Sequence, residues 1–200
     1  MLNFNEICHA TSREKALFYT PDEYLNLEDR AKFKSEYYQG EIFSMAGASL
    51  NHNQIVVNLC IACGNLLKNL PYRIFANDLK VWIPQVNAYT YPDVLLLAEP
   101  PQFVEKRNDT VTNPLIIIEV LSDTTKDFDR SGKFEFYRTL PSLQEYILVH
   151  QDKIQLEQFI KQSEKQWLMR EYTAEEISLE FANVPVQVSL ADIYAKVSFS

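Results

Sequence analysis

The sequence predicts an α/β (α+β) domain with a mixed sheet. Three observations carry that reading. The run Leu115-Ile116-Ile117-Ile118-Glu119-Val120-Leu121 is nearly continuous apolar sequence, the pattern of a strand buried on both faces. Between Ser49 and Leu70, Ile55, Leu59, Cys63, Leu66 and Leu70 recur at steps of three and four, which predicts an amphipathic helix ending before Pro71. Tyr146 to His150, Ile154 to Ile160 and Trp167 to Tyr172 alternate like consecutive strands.

The remaining elements follow in order. Thr20-Pro21-Asp22-Glu23 combines a capping threonine, a proline at the first helical position and an acidic first turn, so a short helix starts there. Glu36 to Ala46 reads as a hairpin turning at Gln39-Gly40. Tyr72 to Ala76, Leu79 to Pro84 and Tyr91 to Ala98 read as strands, with turns at Asn87 and at 99–101 and a surface loop at EKRNDT. Helical spacing returns from Asp129 to Leu140 and stops at Pro141, and Ser189 to Ala195 closes the chain as a short helix.

Composition narrows the function classes. The 200 residues are 46% hydrophobic and 23% charged, which suits one compact domain. Only four glycines occur and no repeat recurs, so glycine-rich phosphate loops are excluded. The longest apolar runs fall far short of the roughly 18 residues of a membrane helix, and the opening residues lack the pattern of a secretory signal. Three cysteines, Cys8, Cys60 and Cys63, do not make a fully paired disulfide framework, and a cytoplasmic protein is the expectation. Asn108-Asp109-Thr110 matches a glycosylation acceptor and is read as chance. A formal charge of -8 argues against coating nucleic acid through bulk electrostatics. It leaves open an enzyme that gathers carboxylates around a divalent cation and grips phosphate locally.

Two carboxylates need explaining. Glu119 stands inside an apolar strand, where it must be paired, protonated or bound to a cation. Asp93 follows Tyr91-Pro92 at the entrance to Val94-Leu95-Leu96-Leu97. Neighbouring strands lie about 4.8 Å apart, so the two could converge and hold Mg²⁺ or Mn²⁺, with open positions for water and phosphate. Lys133, on the next helix with Arg130 and Tyr137 on its face, is the candidate charge stabiliser or water-positioning group; a solvated surface lysine is the alternative.

At this point the residues resemble a known family. Tyr19-Thr20-Pro21-Asp22-Glu23-Tyr24, Gly40-Glu41-Ile42, Met45-Ala46-Gly47-Ala48-Ser49 and His52-Asn53 come first. Tyr91-Pro92-Asp93-Val94, Asn113-Pro114, Ile118-Glu119-Val120-Leu121-Ser122, Thr124-Thr125, Asp129-Arg130, Lys133, Tyr137 and Glu145-Tyr146 follow. Together they resemble the Uma-two family, once labelled a domain of unknown function, which is similar to the PD-(D/E)XK restriction-endonuclease-like nucleases. The resemblance implies a restriction-endonuclease-like mixed central sheet flanked by helices in one domain over 1–200: an N-terminal helical segment at 1–35, a nuclease-like core at 36–150, and C-terminal strands with a short helix at 151–200. It implies Pro92-Asp93 as the Pro-Asp motif and Glu119 as the second acidic position. It also matches Glu41 to the acidic residue that the region of the first helix contributes. Leu121 stands where the superfamily motif has lysine. Either the lysine has migrated, to Lys133 or less favourably Lys80, or the site is dead.

Other candidates carry bland alternatives. His52 fits phosphate contact, general base or a helix cap, and Asp78 fits a further carboxylate or a turn. Cys60 and Cys63 share a spacing with redox and zinc motifs but lie in the apolar helix stripe and read as core. Asp127 and Asp129 read as a solvated loop and helix cap, and Trp167 with the C-terminal strands as core or a self-association surface. The expected function is a divalent-metal-dependent endonuclease acting on nucleic acid, with DNA implied by family analogy. Lys126, Arg130 and Arg138 are its expected substrate contacts, and a homodimer is compatible with double-strand cleavage. The rival is a nuclease-like fold that no longer cleaves and serves as an interaction or nucleic-acid-binding module.

Overall fold

The computed structural model describes residues 17–45, 47–122 and 125–199. Cys8, Ala46 and Thr124 lie outside the described residues. Helix α1 (Pro21–Glu28) opens with a full capping box: the Thr20 side chain accepts from the Glu23 amide and the Glu23 carboxylate accepts from the Thr20 amide. Strands β1 (Ser35–Tyr38) and β2 (Glu41–Ser44) form the expected hairpin. Gly40, at φ 101°, supplies the left-handed backbone its turn requires.

Helix α2 (Leu50–Leu67), capped by Ser49, ends before Leu70. Strands β3 (Tyr72–Ala76), β4 (Lys80–Ile83), β5 (Ala88–Thr90), β6 (Val94–Ala98), β7 (Thr110–Val111) and β8 (Pro114–Leu121) follow. Helix α3 (Lys126–Phe128) continues through a π turn (Asp129–Lys133) into α4 (Phe134–Tyr137). Strands β9 (Glu145–His150), β10 (Gln155–Ser163), β11 (Gln166–Thr173), β12 (Ser178–Glu180) and β13 (Gln187–Ser189) lead to α5 (Leu190–Ile193). The expected strand from Tyr91 begins only at Val94, and β5, β7, β12 and β13 are too short to leave a periodic pattern.

The strands divide between sheets, where the sequence reading had one. A six-stranded sheet has the order β11-β10-β9-β8-β6-β3, and a five-stranded sheet the order β2-β1-β5-β4-β7. In the larger sheet β8 pairs parallel with β9 and antiparallel with β6, so it is mixed, and β8 is interior as its apolar run predicts. Helix α2 and α5 cover one face through Ile55, Leu59, Cys63 and Ile193. The helical run from Lys126 to Tyr137 covers the other through Phe136 and Tyr137, packed with Ile117, Leu121 and Leu148. Among the described residues no helix is long and apolar enough to cross a membrane.

Candidate functional site

Antiparallel pairing of β6 with β8 sets Val94 opposite Ile118. One step further along each strand, Asp93 at the entrance to β6 meets Glu119 near the end of β8. The Asp93 amide donates to Glu119 Oε2 at 3.1 Å, and the Val120 amide donates to Asp93 Oδ2 at 2.8 Å. Each carboxylate is thus fixed by the other strand's backbone, which aligns two negative groups that would otherwise repel.

Glu119 is 2% exposed. Lys133 Nζ donates to Glu119 Oε1 at 3.1 Å and lies 3.3 Å from Asp129 Oδ1 and 3.6 Å from Glu36 Oε1. Tyr137 donates its hydroxyl to the same Glu119 oxygen at 2.9 Å and lies 3.1 Å from Thr90 Oγ1. Glu119 and Leu121 share the strand face that the helical run covers. A side chain descending from that helix therefore reaches the carboxylate over Leu121, which is itself packed in the core.

The π turn places Asp129 and Lys133 both inward, four residues apart. It closes tightly on Gly132, where a Cβ would stand 2.2 Å from the Phe128 ring. Asp129 is buried: its Oδ2 accepts from the Thr125 hydroxyl at 2.6 Å, while its Oδ1 faces Lys133 without a hydrogen bond among the described residues. Glu36 reaches the cluster from β1 and accepts from the Tyr91 amide at 3.1 Å. On the other side, His52 Nε2 in the first turn of α2 lies 3.0 Å from Asp93 Oδ2. His52 Nδ1 is buried without a partner among the described residues, so a proton there would go unsatisfied. Nε2 is therefore the ring nitrogen that donates to Asp93.

Burial pushes the Glu119 carboxyl up to about 8; Lys133 pulls it back, and Asp93, Asp129 and Glu36 add to the push. Burial alone would lower Lys133, but Glu119, Glu36 and Asp129 outweigh it and hold the ammonium well above its usual value. Burial, reinforced by Glu119, likewise raises the Tyr137 phenol, so it stays a hydrogen-bond donor. Burial and the neighbouring carboxylates thus favour the protonated form of Glu119, and Lys133 opposes them.

Among the described residues no three His, Cys, Asp or Glu side chains form a ready cage for a metal ion. The donor set is more open: two hard carboxylates, with Asp93 keeping 17% of its side chain exposed and Glu119 sealed behind it. That set fits Mg²⁺ or Mn²⁺, which bind through one or two carboxylates and fill their other positions with water and substrate phosphate. It does not fit a structural zinc site, which needs four closed ligands.

A family model, Uma2, described as "Putative restriction endonuclease", matches residues 21–191. The chain belongs to the Uma2 family. Two similar proteins of Synechocystis sp. are both named as uncharacterized. The protein sll1609 is 43% identical over 163 residues, 82% of this chain and 92% of that protein. The protein slr1290 is 34% identical over 180 residues, 90% of this chain and 93% of that one. A crystal structure described as a "putative nuclease belonging to DUF820" from Anabaena variabilis superposes with a TM-score of 0.69 at 19% identity. It covers 88% of this chain and 98% of the other, a likeness of fold. The Uma2 membership and restriction-endonuclease-like fold that the sequence implied are therefore both found, and they group the chain with nuclease-like proteins.

Within this Uma2 chain the other candidates scatter. Glu41 sits beside the hairpin turn, opposite Tyr38, and makes no side-chain hydrogen bond or ion pair among the described residues. The acidic residue that β1–β2 brings to the cluster is instead Glu36, on the strand face opposite the buried Tyr37. Asp78 is 86% exposed and pairs with Lys34 at 2.7 Å. Lys80 is buried elsewhere, donating to Asp109 at 2.6 Å and to the Tyr91 hydroxyl at 3.3 Å. Asp109 is also gripped by both ends of the Arg107 guanidinium.

Asp129 differs most from its sequence reading. It is buried in the cluster, whereas Asp127 is exposed as expected; its four-residue spacing from Lys133 was the available clue. Arg130 turns to Glu157 at 2.5 Å and to His150 Nε2 at 2.8 Å. Because an arginine can only donate, His150 accepts there. Lys126 is exposed, and so is Arg138, which lines a groove of about 620 Å³ with Lys161, Lys165 and Trp167. Cys63 is buried and Cys60 half-buried in the helix core, as packing residues.

Proposed function

We propose that this Uma2 protein is a divalent-metal-dependent nuclease that hydrolyses phosphodiester bonds, with DNA as substrate by analogy with restriction endonucleases. The observation that carries it is the convergence of Asp93, Glu119 and the buried Lys133 ammonium, in a chain whose strand motif lacks the lysine. Asp93 and Glu119 would hold Mg²⁺ or Mn²⁺. When bound, the ion supplies Lewis-acid polarisation of the phosphate and lowers the pKa of bound water.

The protein's own groups divide the remaining work. Lys133 balances Glu119 and Asp129 and offers its remaining N–H donors to a developing phosphorane or an attacking water. Glu36 shares that ammonium and accepts a proton through an intervening water. Tyr137 keeps Glu119 in one rotamer, and His52 does the same for Asp93. What favours this over the non-cleaving module is that the Lys133 ammonium reaches the carboxylate pair whose strand lacks the motif lysine.

The test is cleavage of single- and double-stranded DNA and of RNA in Mg²⁺, Mn²⁺ or EDTA, comparing wild type with Asp93→Ala and Glu119→Ala. Metal-dependent cleavage abolished by both substitutions is the expected result. Cleavage that survives both, or no cleavage by the wild-type protein on any of these substrates, overturns the proposal.

A further inference from the structure

The loop between α1 and β1 runs Arg30-Ala31-Lys32-Phe33-Lys34, three cations and no acid within five residues of a chain whose net charge is -8. The acids beside it are already engaged. Asp29 and Asp109 share the Arg107 guanidinium, and Asp78 pairs with Lys34 at 2.7 Å. Glu28 accepts from the Ser35 amide and hydroxyl and from the Tyr91 hydroxyl. Arg30 and Lys32 are exposed, and their side chains have no partner among the described residues. Phe33 stands 84% exposed beside them.

This loop adjoins the carboxylate cluster. The Lys34 carbonyl accepts from the Met45 amide at 3.1 Å, which continues the β1–β2 ladder by one residue. Lys34 and Glu36 therefore share a strand face, and both meet Tyr91: the Lys34 ammonium lies 5.3 Å from its ring centre and Glu36 accepts from its amide. Lys34 also donates to the Asn77 carbonyl at 2.9 Å, and the Asn77 amide donates to the Asp93 carbonyl at 3.1 Å. Lys32, Phe33, Lys34, Lys80 and Tyr91, with the engaged carboxylates, line a hollow of about 260 Å³. That is below the roughly 300–1,000 Å³ of a site for a whole small molecule, so it suits one planar base with its phosphates left outside.

We propose that the 30–34 loop and its hollow bind an unpaired base of a single-stranded nucleic acid, Phe33 stacking on the base and Arg30 and Lys32 holding the flanking phosphates. Cations that follow the backbone and an exposed ring that takes a base face are the means by which proteins hold single strands. A base inside a duplex has no free face to offer. Stacking is also the contact an acidic protein needs, because its own carboxylates weaken a grip that relies on charge alone. Strand rise puts Lys34 about 7 Å from Glu36, so the bound base lies close in the chain to a phosphate at the cluster. The inference rests on the nuclease reading of that cluster and narrows its substrate to a strand that is single at this position. Neither stacking nor phosphate contact reads the 2′ position, so the site takes DNA and RNA alike.

The experiment is fluorescence anisotropy of the full chain in EDTA with a labelled strand of about 20 nucleotides, as single-stranded DNA, as single-stranded RNA and as DNA duplex. Both single strands should bind more tightly than the duplex. Phe33→Ala should weaken single-strand binding at least about fivefold with an unchanged melting temperature, and Phe33→Trp should retain it. Ile177→Ala, at a residue 86% exposed before β12, should bind as wild type does. Arg30→Ala with Lys32→Ala should lower the slope of log affinity against log salt by about 1.4, the value for two single-strand phosphate contacts. Equal affinity of wild type and Phe33→Ala, a duplex bound as tightly as a single strand, or no binding by the wild type overturns the inference. The two readings fail separately. Metal-dependent cleavage with binding indifferent to Phe33 keeps the nuclease and removes this site, whereas Phe33-dependent binding without cleavage of any substrate removes the nuclease and keeps the site.

Discussion

Replacing Lys133 with methionine keeps the length and apolar stem of the side chain and deletes only its charge. In the structure that charge lies within 3.1–3.6 Å of Glu119, Asp129 and Glu36, all in a buried cluster. Removing one partner of a buried ion pair typically costs about 3–5 kcal/mol, because the remaining charge is left in a dry site. Protonation caps the loss. A buried carboxylate can always take a proton, at about 1.4 kcal/mol per pH unit above its solution value near 4, so the cap is roughly 5–6 kcal/mol at pH 8 and roughly 2 at pH 5.5. Lys133→Met should therefore lose about 3–5 kcal/mol in EDTA at pH 8 and less than about 2 at pH 5.5. At pH 8 the thermal midpoint should fall by roughly 6–20 °C for a chain of this size. Urea unfolding at both pH values measures this, provided the m-value is unchanged. Adding Glu119→Gln should restore part of the loss, a coupling readable in a double-mutant cycle. A loss under about 1 kcal/mol, equal at both pH values, is the behaviour of a solvated surface lysine and would refute the reasoning.

Three further outcomes follow from the same geometry. Glu36→Gln should reduce metal-dependent cleavage at least about tenfold while Glu41→Gln leaves it within about twofold; equal effects would remove Glu36 from the site. His52→Ala should raise the Mg²⁺ concentration for half-maximal activity about tenfold, with partial rescue in His52→Gln, which retains an N–H donor; an unchanged requirement would leave His52 with a packing role only. In EDTA, wild-type stability should decline as pH rises from about 4.5 toward 8, at up to about 1.4 kcal/mol per pH unit. The sign follows from the raised Glu119 carboxyl: between its unfolded and folded values the folded state binds the extra proton, so stability is full below that window and lost through it. Glu119→Gln should flatten this slope in calorimetry, and parallel slopes for the two proteins would contradict the burial argument.

Reading the chain by period and punctuation located the long elements because each has a local physical cause. Alternation, a 3.6-residue stripe and a Thr-Pro-Asp-Glu cap are written in consecutive residues. The same logic singled out Glu119, since an acid inside Ile-Ile-Ile-Glu-Val is anomalous wherever the strand packs. Glu36 and Asp129 carried no comparable anomaly. Each sits in a mixed polar stretch, and only the fold turns it inward: Glu36 through the hairpin's pairing with β5, Asp129 through a π turn that no helical period announces. Glu41 failed for the converse reason, as its neighbourhood in sequence resembles a motif while its strand position lies at the turn.

The sequence by itself determined the long strands and helices, the candidate carboxylates Asp93 and Glu119, and a net charge of -8. These depend on residue type and near-neighbour spacing, which chain connectivity sets directly. The tertiary structure alone decided that β6 runs antiparallel to β8 and brings Asp93 against Glu119, and that Lys133 is the lysine that reaches them. It decided as well that Glu36 and Asp129 share its charge. Apart from Asp129, four positions from Lys133, those facts rest on contacts between residues 14 to 97 positions apart, which depend on how sheets and helix pack.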